Sequence, residues 1–356
     1  MACKTPDDEY TVVEELADVA DALTEIRSHA LLAIDCEGIN LGRAGDLTVL
    51  TVATPIKSYI FDILKLGKQV FDDGLRDILE DKTKKKLMFD CRGDADSLQH
   101  QFKVRLSGVL DLQLLEVMHR TKSPSASASA TSGSLGSTQT DEVESVYGFL
   151  RCVELYIDDK KMIDEKKRGV RLLQDDENVW QTRPLSDSLK SYCNVDTSGL
   201  FSLFEKLKGD NDDALPRLRV ASERYADYFR SMPVRTNGMF ENHALLPLYI
   251  IPDEGSMSFP FASTKCVGCN RLFPRHEFSK TQLRKGQQKC RVCKKVKLQA
   301  DVQKNREDNW ARDEFNHSPP LYYSSDEEWQ TNGYYGLQYS DNYSDNFGDD
   351  YGDDDW

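Results

Sequence analysis

Asp35 and Glu37, in the string Asp35-Cys36-Glu37-Gly38, are the first residues of this chain whose types and spacing suggest chemistry. At i and i+2 they share one face of an extended segment. Two carboxylates that close repel each other unless a cation lies between them, and hard divalent ions take such oxygens as ligands. The other reading of the pair is a strand end running into solvent. Asp196 is the second signal. It falls on the apolar stripe of a helix over 186–207, among Leu189, Cys193, Leu200, Leu203 and Phe204. A lone carboxylate on a buried stripe is costly, so a partner is expected there, either a metal or a cation such as Arg183. Tyr192 lies one turn earlier on the same face. Asp94 opens a short helix within Asp90–Leu98, where capping competes with ligation as its role; Asp96 is a weaker rival.

A second group is sulfur-based. Cys266-Val-Gly-Cys269 and Cys290-Arg-Val-Cys293 form a C-x2-C-x20-C-x2-C pattern, which matches tetrahedral zinc held by four thiolates. Four cysteines close such a site, so the zinc is expected to be structural; His276 is an extra candidate ligand. Between Lys265 and Lys297 there are eleven Lys and Arg residues against one acid, Glu277. Basic clusters of this kind suit phosphates. Lys285, Lys289, Arg291, Lys294 and Lys295 are therefore candidate nucleic-acid contacts, with a protein-docking surface as the other reading. Cys3, Cys36, Cys91, Cys152 and Cys193 are scattered or in apolar contexts, and core packing is their expected role.

The elements that must position these groups follow from periodicity. Residues 11–29 read as an amphipathic helix. Leu31–Ile34 is a short apolar run ending at Asp35, as expected of a strand buried on both faces. Asp46–Ala53 and Ser58–Ile63 are two further strands around a turn at Thr54-Pro55. A helix over Phe71–Leu79, a strand over Lys86–Asp90, a helix over Asp94–Phe102, a strand over Gly108–Asp111 and a helix over Leu112–His119 come next. Helices resume over Val146–Ile157, Ser186–Leu207 and Ala214–Met232. This order predicts an α/β fold, a mixed sheet flanked by helices.

Composition divides the remainder. With 356 residues, 39% hydrophobic and 30% charged, the chain has material for a core but not for uniform packing. A Ser/Ala/Thr/Gly-rich stretch at about 121–142 reads as a disordered insertion in a domain spanning 1–232. Residues 233–260 read as a connector, 261–300 as the cysteine module and 301–356 as a disordered acidic Tyr/Asp-rich tail. The net charge of −14 is uneven, because His317–Trp356 holds ten acids and no Lys or Arg. That tail, like the cysteine module, is a candidate protein-docking segment or a shield for the basic block. No run of 18 apolar residues occurs, so no membrane partner is expected. The first residues lack an apolar signal-peptide core, so a nuclear or cytoplasmic protein is expected rather than a secreted one.

Taken together, the order strand-D-x-E, D-x3-L at a helix start and Y-x3-D on a late helix resembles the ribonuclease D and Werner-type branch of the DEDD 3′–5′ exonucleases. The string FDCRGDADSLQHQF is similar to the HDCR-type second motif of the Egalitarian-like members, with Phe89-Asp90 where relatives often carry histidine. RPLSDSLKSYCNVD is similar to their third motif. The resemblance runs from about Thr11 to Met232 and implies a ribonuclease H-like fold. It implies two Mg²⁺ or Mn²⁺ ions, one on Asp35, Glu37 and Asp196, the second on Asp35 and Asp94. Tyr192 would act on the attacking water, the mark of the DEDDy subclass. The implied activity is hydrolysis from a single-stranded 3′ end of RNA or DNA, releasing nucleoside 5′-monophosphates. Some relatives have lost catalytic acids and act as RNA-binding scaffolds, so a nucleic-acid-binding adaptor is the alternative. The cysteine segment, through FSKTQL and KCRVC, resembles a treble-clef-like zinc module of fungal chromatin and RNA-interference adaptors.

Overall fold

A computed structural model describes residues 10–121, 145–176, 178–209, 214–231, 255–259 and 261–297, with isolated positions besides. The expected insertion and acidic tail lie almost wholly outside the described residues, as does much of the connector.

Six strands form one mixed sheet in the order β1-β4-β3-β2-β5-β6. They are β1 (Tyr10–Val13), β2 (Leu31–Ile39), β3 (Asp46–Ala53), β4 (Ser58–Asp62), β5 (Lys85–Met88) and β6 (Val109–Asp111). β2, β3 and β4 pair antiparallel, while β1 joins β4, and β5 and β6 extend from β2, in parallel. The helices are α1 (Leu16–Ser28), α2 (Ile63–Leu66), α3 (Arg76–Glu80), α4 (Arg92–Phe102), α5 (Leu112–Arg120), α6 (Phe149–Cys152), α7 (Lys160–Asp175), α8 (Asp187–Leu207) and α9 (Ala214–Arg230). This is the α/β arrangement that the sequence predicts.

Both faces of the sheet are covered. Alternate residues of the central strands enter different cores: Val49 and Ile60 pack with Leu189, Tyr192 and Cys193 of α8, while Leu50 and Phe61 join the larger core with α1. That is the period of two expected of a strand buried on both sides. Helix α8 lies across β2, β3, β4 and β5. Its first turn is capped by the Ser186 hydroxyl, which accepts from the Leu189 N–H, satisfying one orphan donor.

Departures from the sequence expectation include the short α2, which begins at Ile63 where a strand end is expected, and two further elements. Tyr10–Val13 is a strand in register with Ser58–Phe61 rather than the start of a helix. The adjacent β-branched Val12 and Val13 favour extension once a neighbouring strand offers hydrogen bonds. Helix α7 occupies 160–175, to which the sequence alone assigns no element. Its Asp159 cap accepts from the Met162 N–H, and its apolar residues Met162, Ile163, Val170 and Leu173 recur at helical spacing. Six acids and bases among them mask that pattern.

Beyond α9, β7 (Ala262–Lys265) and β8 (Leu272–Pro274) form an antiparallel hairpin, followed by α10 (Lys280–Lys285) and a helical stretch at 291–297. Cys266 and Cys269 lie at the turn of the hairpin, and Cys290 and Cys293 at the start of the closing helical stretch.

Candidate metal and nuclease site

Strand β2 delivers the first two carboxylates. Asp35 lies opposite Thr51 and Glu37 opposite Val49. Directly paired residues share a face, so both acids point toward α8, where Val49 packs. The register shifts between Glu37 and Gly38. A Cβ at Gly38 would overlap the Asp46 carbonyl oxygen, so the glycine permits a close backbone approach that bends the strand just past the acids.

Helix α8 supplies Tyr192 and Asp196 from the opposite layer. One oxygen each from Asp35, Glu37 and Asp196 lies within 4.8 Å of the others. Asp94, in the first turn of α4, stands beside this triad without joining it. Its Oδ1 accepts from the Cys36 N–H at 3.0 Å, so it is fastened to the backbone between the two β2 acids. The loop leading into α4 is held by Asp111, whose carboxylate accepts from the Asp90, Cys91 and Gln113 N–H groups. Asp96 has no place in the group: it receives the Arg43 guanidinium and N–H. Arg183 does not partner Asp196 either; it forms a two-pronged pair with Asp62.

The partner of Asp196 is Lys166, on the unanticipated α7. Its Nζ donates to Asp196 Oδ2 at 2.6 Å and to Tyr192 Oη at 2.7 Å, and lies 4.1 Å from the Tyr192 ring centroid. One turn on, Gly169 lets the helix approach, because a Cβ there would overlap the Tyr192 ring. Neither residue was anticipated from the sequence. A lysine at the i+4 position from Met162, on the same side as Val170 and Leu173, is the signal that marks it as inward-facing.

The electrostatics are those of an acidic cluster whose single ammonium, Lys166, offsets only part of its charge. Burial, then Glu37, Asp196 and Asp94, push the Asp35 carboxyl well up. Burial and neighbouring acids raise Glu37 to about 8, and burial raises Asp94 to about 7. Asp196 is raised by burial, with Lys166 opposing it. Burial and the three acids hold the Tyr192 phenol well above its ordinary value. Asp35 Oδ2 and Asp196 Oδ1 are buried without a hydrogen-bond partner, although buried acceptors are normally satisfied. Orphaned oxygens converging in an all-oxygen set fit a hard divalent cation such as Mg²⁺ or Mn²⁺.

The second candidate centre joins Cys266, Cys269, Cys290 and Cys293, whose sulfurs all lie within 4.8 Å of one another. Cys266 Sγ accepts from the Gly268 and Cys290 N–H groups, both at 3.3 Å. Backbone donors bring its thiol down to about 7, while burial pushes Cys269 up to about 12 and Cys290 and Cys293 upward. A cluster in which one thiolate forms readily and the others resist suits a cation that stabilises them together. His276 is exposed and outside the group. Lys285, Lys294 and Lys295 are exposed and Lys289 is half-buried. Arg291 differs from them, since its N–H and guanidinium engage Glu277. Cys36, Cys91, Cys152 and Cys193 are buried as expected of core residues, and Cys3 lies outside the described residues.

Comparison with known proteins shows what this chain is similar to. Residues 10–135 match the 3′–5′ exonuclease family, a span that includes Asp35, Glu37 and Asp94. The chain is 31% identical over 231 residues to the piRNA biogenesis protein EXD1 of Mus musculus, covering 64% of this chain and 38% of the relative. The human EXD1 protein is 33% identical over 222 residues, 62% of this chain and 40% of the relative. The chain thus spans about two fifths of the length of these relatives. Among solved structures, Trypanosoma brucei RNase D in complex with GMP aligns with a TM-score of 0.54 at 23% identity, over 75% of this chain and 83% of that one. The same enzyme in complex with RNA U12 aligns with a TM-score of 0.52 at 22% identity, over 78% and 88%. No helix among the described residues is long and apolar enough to cross a membrane. Residues 10–135 are thus similar to a 3′–5′ exonuclease domain, on an α/β fold like that of ribonuclease D.

Proposed function

We propose that the chain is a metal-dependent nuclease of the DEDDy type that removes nucleotides from the 3′ end of a single strand and releases nucleoside 5′-monophosphates. The observation that carries this reading is the convergence of Asp35, Glu37 and Asp196 with two orphaned buried oxygens, within the α/β fold of an exonuclease domain. Asp35, Glu37 and Asp196 would hold one Mg²⁺ or Mn²⁺ ion, and Asp35 with Asp94 the second. Such ions, when bound, stabilise charge on the attacking and leaving oxygens of a phosphodiester. Tyr192, one turn from Asp196 on α8, would orient or deprotonate the attacking water. RNA is the favoured strand, supported by the similarity to piRNA biogenesis proteins and to an RNase D crystallised with RNA. Cys266, Cys269, Cys290 and Cys293 would hold a structural zinc. Lys285, Lys289, Lys294 and Lys295, with Arg291 more constrained by Glu277, would present charge to phosphates. In domain terms, 1–232 would form the nuclease unit and 261–300 the zinc module, the intervening residues connecting them.

The experiment is digestion of matched 5′-labelled RNA and DNA single strands by the purified chain with Mg²⁺ or Mn²⁺ and with chelator. A ladder shortening from the 3′ end, lost with chelator and with Asp35→Asn, is expected. Binding of strands without any shortening would support a nucleic-acid-binding adaptor instead.

A further inference from the structure

Lys166 sits where a cation belongs. Its Nζ is in contact with Asp196, one of the three grouped carboxylates. It also contacts the hydroxyl and ring face of Tyr192 and lies 5.6 Å from the Phe149 ring centroid. The lysine side chain is 12% exposed and that of Asp196 8%, so the pair is largely shielded from water. The placement is built into α7: Gly169, one turn along, is the residue that lets the helix reach Tyr192. Of the oxygens in the triad, the one that Lys166 grips is satisfied, whereas Asp35 Oδ2 and Asp196 Oδ1 are not. Lys166 therefore neutralises only part of the cluster.

We infer that Lys166 is an internal counter-ion that ties Asp196 and Tyr192 to α7 in the metal-free protein, and that it competes with a divalent cation for the charge of Asp196. This inference rests on the proposed metal site and deepens it. A primary ammonium and a divalent ion compete for the negative charge of the same carboxylate, so each weakens the other's hold by the same factor. Lys166 keeps the acids together at rest, at the expense of affinity for the ion. Lys166 is thus a positioning residue that acts through Asp196 and Tyr192.

The test is a Mn²⁺ titration of the full chain, preloaded with zinc, reading free Mn²⁺ by electron paramagnetic resonance. Binding that persists in Asp35→Asn is subtracted as binding elsewhere. Lys166→Met is expected to bind Mn²⁺ more tightly than the unaltered chain, by on the order of tenfold, as is usual for coupling between two ligands. The metal-free variant should melt earlier. Lys166→Arg, which keeps the charge, should bind as weakly as the unaltered chain. Should Lys166→Met fail to fold, the uncharged Lys166→Gln, which retains a hydrogen-bonding tip, takes its place. Equal or weaker Mn²⁺ binding by the neutral variants overturns the competition while leaving the metal site standing. Absence of Asp35-dependent Mn²⁺ binding in every protein overturns both.

Discussion

The carboxylates of the α/β domain and the thiols of the cysteine module are both groups whose side chains could hold a metal, yet different things hold them together. Asp35, Glu37 and Asp196 come from a strand and a helix locked by a large core that includes Ile34, Leu50, Phe61, Leu200 and Leu203. Each such side chain stabilises the fold by about 1.5–3 kcal/mol. The acids oppose folding: each unit by which a buried carboxyl is raised costs about 1.4 kcal/mol near neutral pH. The core outweighs that cost many times. In the cysteine module the buried cluster is Cys266, Phe273, Phe278, Cys290 and Val292, and two of its members belong to the proposed zinc site. There the ligand group is a large part of what there is to bury. A site imposed by a fold tolerates strain and stays ready for an ion; a site that replaces a core needs its ion in order to exist.

The comparison breaks most visibly in the cysteine module. Cys293→Ser, or a strong chelator, should unfold 261–297 and leave the α/β domain intact, since structural zinc supplies on the order of 10 kcal/mol to such segments. Limited proteolysis with mass mapping checks this: cleavage confined to the module is expected. The opposite sign is expected in the nuclease site. Asp35→Asn should lower turnover by about 10³-fold or more, equivalent to about 4 kcal/mol in the barrier. In the metal-free state it should nevertheless raise the melting temperature, because a repelling charge is gone. A variant that loses both activity and stability would make Asp35 a structural residue.

Two smaller effects sharpen the contrast. Gly169→Ala places a methyl against the Tyr192 ring, and overpacking of this kind costs about 1–3 kcal/mol. Turnover should fall more than strand binding, because Tyr192 is pushed from its place; a purely structural effect would lower the melting temperature alone. The smallest is a pH effect. Glu37 ordinarily titrates at 4.5 and is raised in the fold to about 8. Between those values the folded state binds more protons than the unfolded one, so its stability falls as pH rises. The metal-free chain should therefore melt lower at pH 8 than at pH 5 by at least about 2–4 °C, the shift expected from 1 kcal/mol in a domain of this size. Glu37→Gln should flatten that slope, and saturating Mn²⁺ should abolish it.

Much of the site was legible because it is local in sequence. D-x-E on an apolar strand, Y-x3-D on an amphipathic helix and two CxxC pairs each announce themselves within a few residues, and the structure groups Asp35 with Glu37 and Asp196, and the four cysteines with one another. The strands β3 and β4 and the helix α8 were legible for the same reason, since period and turn residues are short-range signals. Less was legible where a partner decides. Val12 and Val13 became a strand because Ser58–Phe61 offered them an edge. The polar α7 hid its inward face among charges, and with it Lys166 and Gly169.

Which ligand types this chain possesses, and their order along the elements, is therefore a property of its sequence alone, since side-chain chemistry and periodicity need no neighbours. Which cation answers Asp196 belongs to the tertiary structure. From the sequence Arg183 was as good a candidate as any; in the fold it is committed to Asp62, and the ammonium that reaches Asp196 comes from a helix 30 residues earlier. Charge pairing acts over a few ångströms between side chains far apart in the chain, and packing, not spacing, sets those distances.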